Sequence, residues 1–167
     1  MASVQLFRQL FIILVYVFLQ VFIFRNLVIA DVAFCFIYIG VILFIPYETS
    51  DFWVILIGFL IGLLVDIFYN TAGVHASATV AMAFVRGFII KGIFPTKGGD
   101  ADIELSMVGM GSEKFIRYVL IMTMIHHFIL FFVEVGHLGY FVGTSIKVIG
   151  SIIYTTIVLS FLHRVLK

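Results

Sequence analysis

Runs of about 20 predominantly apolar residues, the length that crosses a ~30 Å hydrocarbon core at ~1.5 Å per residue, recur six times along this chain. They fall near residues 6–24, 28–46, 52–69, 72–94, 115–135 and 145–163. Composition agrees: 63% of the 167 residues are apolar and 11% charged, with a mean hydropathy of +1.25. A soluble domain of this size needs a mostly polar exterior, whereas a chain solvated by hydrocarbon can be apolar on every face. The runs are apolar all round rather than alternating, which favours helices over the strands of a β-barrel. The expected fold is therefore all-α: a single transmembrane domain, 1–167, of six helices. The first run is too long for a signal peptide and ends in Arg25 and Asn26 without a small-x-small cleavage pattern, so it is expected to stay attached.

An even number of crossings puts both termini on one side. Arg8, Lys91, Lys97, Lys114, Arg117, Arg164 and Lys167 fall on that side, against Arg25 and Lys147 on the other, which predicts cytoplasmic termini. A formal net charge of +1 argues against a nucleic-acid partner, and the single cysteine, Cys35, excludes an intramolecular disulfide and a multi-thiolate metal site. The one long connection, residues 95–114, is expected to be a solvated cytoplasmic linker. Its Asp100, Asp102 and Glu104 are spaced like the start of a calcium loop, but Leu105 and Gly111 occupy the positions that require Gly and a bidentate acid. "GMGSEK" lacks the ending of a phosphate loop. No cofactor or metal is expected.

The candidate functional residues are the polar ones inside the apolar runs. Gly58, Gly62 and Asp66 recur every four residues along one helical face. Two small residues at that spacing let another helix approach closely, either within the fold or from a partner. An acid within the bilayer costs on the order of 2.5–3.5 kcal/mol on insertion scales, so Asp66 requires a partner. The turn containing Gly73 reverses the chain tightly enough to set His75 beside it. A hydrogen bond from Asp66 to the His75 ring would clamp the third helix to the fourth; an acid/base pair is the alternative. Arg86, eleven residues after His75, returns to nearly the same face about 16 Å deeper; it either extends a polar seam or snorkels to the interface. In the fifth run, His127 and Glu134 share a face and His126 turns away by about 100°. Helical metal pairs use spacings of three or four, so interhelical hydrogen bonding is favoured over metal, with proton or ion relay open.

The stretch "GFLIGLLVDIFYNTAGVHASA", Gly58 to Ala78, closely resembles the MreD family of bacterial rod-shape-determining membrane proteins. "FRNL" at the end of the first run, "AFVRGFI" from Ala83 to Ile89, and the chain length support the likeness; "HHFILFFVE" resembles the version in Bacteroidetes-type members. The match is specific from Gly58 to about Ile90 and general elsewhere. Gly58, Gly62, Asp66, Gly73 and His75 match the family motif, whereas Arg86, His126, His127 and Glu134 match no universal one. The resemblance implies a non-enzymatic inner-membrane component of the cell-elongation complex. Its partner would be MreC and, through it, the peptidoglycan glycosyltransferase and transpeptidase and the MreB filaments. It also implies a fold similar to the substrate-binding subunits of energy-coupling-factor transporters. The Gly-rich acidic loop departs from the family. Two other classes compete: a small-molecule-binding subunit with an outer pocket at Asp66, His75 and Arg86, and a membrane enzyme using His126, His127, Glu134 and Asp66.

Overall fold

The structure, a computed structural model, describes residues 2–94, 104–136 and 140–166. All regular elements among them are helical: α1 Ala2–Phe22, α2 Gly40–Leu43, α3 Asp51–Tyr69, α4 Val74–Ile93, α5 Met107–Met110, α6 Ser112–Val135 and α7 Phe141–Leu166. Five stretches, Gln9–Asn26, Asp51–Tyr69, Val74–Ile93, Ser112–Val135 and Phe141–Val165, are long and apolar enough to cross a membrane. The protein is an all-α polytopic membrane protein, and five of the six expected spans are helices close to their expected bounds.

The expected helix at 28–46 is not one. After α1 the chain makes a short 3-10 turn, Phe24–Asn26. It reverses through an isolated bridge between Ile29 and Ala33, with Ala30 and Asp31 left-handed at φ 51° and 58°. From Phe34 to Phe36 the backbone has no regular structure, then forms a 3-10 turn at Ile37–Ile39 and the single α-turn of α2. Residues 37–39, 42 and 43 are wholly buried. Phe34 lies beside Ser151 of α7 and Phe44 against His163 of the same helix. The segment therefore runs about 18 Å along α7, at ~1.5 Å per helical residue, through the centre of the bundle.

Non-helical backbone at membrane depth persists only where protein or trapped water satisfies its N–H and C=O groups. Side chains from four helices do so. The Cys35 carbonyl accepts from Gln20 of α1 (3.1 Å), and the Phe34 and Phe36 N–H groups donate to Ser151 (2.9 Å) and Thr155 (3.1 Å) of α7. The Leu43 carbonyl accepts from Tyr118 of α6 (3.0 Å), and that of Ile45 from Arg86 of α4. These polar residues, buried inside otherwise apolar helices, form the socket for the central segment.

The expected solvated linker is also corrected in part. Its residues 95–103 lie outside the described residues, but Leu105, Ser106 and Met110 are buried and Leu105 and Met110 join the apolar core. Ser106 caps α5 by accepting from the Gly109 N–H (3.0 Å).

Candidate functional site

Gly58 and Gly62 place α3 against α4. A Cβ on Gly62 would stand 2.5 Å from the Ala76 Cα, and one on Gly58 3.3 Å from the Thr79 carbonyl oxygen. The Thr79 hydroxyl donates to the Gly58 carbonyl (2.8 Å), a cross-helix bond that close approach makes possible. The glycine face is thus consumed inside the fold, which removes it as a docking face for a partner helix.

Asp66, 2% exposed, finds its partner at the start of α4. Its two carboxyl oxygens accept the backbone N–H groups of His75 (3.0 Å) and Ala76 (2.9 Å), and Thr71 donates its hydroxyl to the same group. The first N–H groups of a helix have no intrahelical acceptor and form the positive end of its macrodipole, which favours a carboxylate there. Gly73, left-handed at φ 83°, contributes no side-chain cap, so an acid from the preceding helix does that work. The clamp between the third and fourth expected helices exists, but the expected bond from Asp66 to the His75 ring does not. Arg86 mirrors this arrangement: buried at 2%, it donates to a carbonyl just past the end of α2, where a cation is favoured. It does not snorkel.

The His75 ring turns instead to the central segment, and with it begins a hydrogen-bonded chain through the protein interior. His75 Nδ1 lies 2.9 Å from the Tyr38 hydroxyl, which lies 2.8 Å from His126 Nε2. His126 Nδ1 is 3.3 Å from His127 Nδ1, and His127 Nε2 is 3.0 Å from the Thr155 hydroxyl. Both α6 histidines are wholly buried, and Phe36 packs edge-on against the rings of His75 and His127, at 5.5 and 5.3 Å between centroids. The expected hydrogen-bonding role of His126 and His127 is what the structure shows. No group of three or more His, Cys, Asp or Glu residues suited to a metal occurs among the described residues.

Glu134 is exposed, which corrects its expected burial. It borders a cavity of about 150 Å³ beside the start of α4, shared with Phe34, Tyr69, His75, Phe131 and Lys147. Arg25 closes the neighbouring surface, donating to the Phe68 carbonyl (2.7 Å) and lying 4.9 Å from the Tyr69 ring centre. The expected pocket of Asp66, His75 and Arg86 is not assembled, since Asp66 is held by α4 and Arg86 by Ile45. Nor do the four residues of the enzymatic reading gather: no hydrogen bond among the described residues joins Glu134 or the Asp66 carboxyl to the α6 histidines.

Sequence reasoning missed Gln20, Tyr38, Thr71, Thr79, Ser151 and Thr155. Tyr and Thr are ordinary in apolar runs; the non-helical path of residues 33–45 gives Gln20, Ser151 and Thr155 their backbone partners, while Thr71 and Thr79 serve Asp66 and Gly58 in the α3–α4 hairpin. The chain matches no protein-family model, no curated protein and no solved structure.

Proposed function

We propose that this protein is a non-enzymatic scaffold of the bacterial cell-elongation complex, an MreD-like inner-membrane protein that holds MreC and, through it, the peptidoglycan-synthesising enzymes and MreB filaments. Both termini are cytoplasmic in this reading, supported by the seven-to-two bias of basic residues. The central segment then makes the sixth crossing, and the proposed likeness to energy-coupling-factor substrate-binding subunits rests on that count. The observation that carries the reading is the filled centre: residues 36–43 are all buried and occupy the space where a transported molecule would sit. The motif residues support it from another side. Gly58, Gly62, Gly73, Asp66 and the His75 backbone build one rigid hairpin, so the stretch that resembles the family is the stretch that sets the fold.

The outer cavity favours the second reading, a small-molecule-binding subunit, because aromatic walls with a few polar groups suit small ligands. Purification of the tagged protein from native membranes in mild detergent, with mass spectrometry of co-purifying proteins and small molecules, separates the two. The scaffold reading predicts MreC and wall-synthesis enzymes; a stoichiometric metabolite or an ATPase module would replace it with the second.

A further inference from the structure

A helix turns residues i and i+2 about 200° apart, so a helical 28–46 would send the Phe34 and Phe36 rings to opposite faces. The irregular backbone instead sets them side by side, 6.5 Å between centroids and 12° from parallel. Both line the cavity of about 150 Å³ beside the start of α4, together with Tyr69, His75 and Phe131. The Phe131 ring packs against both, 5.7 Å from Phe34 and 6.1 Å from Phe36, and Tyr69 lies 4.8 Å from His75. An apolar cavity of about 150 Å³ holds one benzene-sized group. The lining residues come from the ends of α3 and α6, the start of α4 and the second turn of α7, so the mouth opens at a membrane surface.

The polar groups around this chamber suit more than an apolar guest. Glu134 and Lys147 are both exposed and both border the cavity. No ion pair joins them, although Glu113 and Arg117 close to 2.8 Å elsewhere on α6. Lys147 Nζ instead lies 5.8 Å from the Phe34 ring centre, near the outer limit of a cation–π contact. The neighbouring cation, Arg25, is committed to the Phe68 carbonyl and the Tyr69 ring. Inside, His75 is 2% exposed; Tyr38 engages its Nδ1, and its Nε2 has no hydrogen-bond partner among the described residues. That nitrogen carries a proton or lacks one according to which way the Tyr38 bond points, so it can meet either an acceptor or a donor. An acid and a base held apart on one rim match the two charges of a zwitterion, and charge-assisted bonds to both ends fix its orientation. We propose that the cavity binds a free α-amino acid with one apolar side chain of phenylalanine or leucine size. The side chain sits among the rings of Phe34, Phe36 and Phe131, Glu134 takes the α-ammonium, Lys147 takes the α-carboxylate, and His75 Nε2 adds a hydrogen bond to the guest.

This inference goes beyond the scaffold reading and stands without it. It takes up the cavity of the second reading but not a transport role: residues 36–43 stay buried, so the guest enters and leaves by one mouth and exchanges with solution. The test is equilibrium dialysis of radiolabelled phenylalanine against the purified full chain in detergent, with phenethylamine, which lacks the carboxylate, and 3-phenylpropionate, which lacks the ammonium, as competitors. Wild type should bind phenylalanine saturably, one per chain, and each competitor about tenfold or more weakly. Glu134→Gln and Lys147→Met alter exposed side chains and should unfold at the wild-type temperature. Glu134→Gln should lose the preference for phenylalanine over 3-phenylpropionate, and Lys147→Met the preference over phenethylamine, each keeping the other. That crossed pattern assigns one charge of the ligand to each residue. Absence of saturable phenylalanine binding overturns the proposal, as do competitors that bind wild type as tightly as phenylalanine, or variants that keep both preferences. Recovery or loss of MreC in co-purification bears on the scaffold alone and leaves this result unchanged.

Discussion

At the scale of single residues, burial converts each polar group into a question of which backbone atom it serves. Asp66 holds two N–H groups that α4 cannot satisfy itself. Leaving a buried donor without an acceptor costs ~1–3 kcal/mol, so Asp66→Ala should destabilise the protein by about 2 kcal/mol or more, with Asp66→Asn intermediate, as read by thermal unfolding in detergent. Wild-type stability for Asp66→Ala would contradict the cap. The need for a partner was legible from the sequence, because an acid in an apolar run is costly and therefore conspicuous. The partner's identity was not, because a backbone N–H has no letter of its own. The same limit hid Gln20, Tyr118 and Thr155, whose roles are bonds to carbonyls and N–H groups of a segment that a sequence window reads as helix.

At the scale of elements, α3 and α4 are locked by two glycines of unequal consequence. A methyl group on Gly62 would meet the α4 backbone at Ala76, whereas one on Gly58 would meet the Thr79 carbonyl oxygen and the Ala83 methyl at 3.3 and 3.4 Å. Gly62→Ala should force the helices apart and lower the unfolding temperature by several degrees, at ~4 °C or less per kcal/mol for a chain of this size; Gly58→Ala should cost less. Equal effects, or a Gly62→Ala protein as stable as wild type, would contradict the close approach. The five long helices were legible because hydropathy and length together identify a chain segment that lies in lipid. Residues 28–46 were misread for the same reason: hydropathy reports where a segment lies, not its backbone conformation. A helix facing lipid must satisfy its own hydrogen bonds, whereas a segment enclosed by four helices can borrow theirs. Phe34 to Phe36 borrow from Ser151 and Thr155 of α7 and Gln20 of α1.

For the whole molecule, these parts describe one arrangement. A bundle of long helices encloses an irregular segment, and the side chains that satisfy it continue into the histidine chain ending at the cavity beside the start of α4. The outward faces are apolar and aromatic, with Phe7, Phe11, Phe18 and Phe22 on α1 and Phe84 and Phe88 on α4 all exposed. These faces, rather than the buried Gly58 and Gly62, are the surface left to lipid and to partner helices. The proposed scaffold depends on the filled centre, since a helix at 28–46 would release Gln20, Ser151 and Thr155 from their partners and separate Tyr38 from His75 and His126. The most direct measurement is the backbone chemical shift of residues 28–46 in the lipid-reconstituted protein, by solid-state NMR with uniform carbon and nitrogen labels. The account predicts non-helical carbon shifts from Ile29 to Phe36, turning helical only over Ile37 to Leu43; an unbroken helical pattern from 28 to 46 would contradict it.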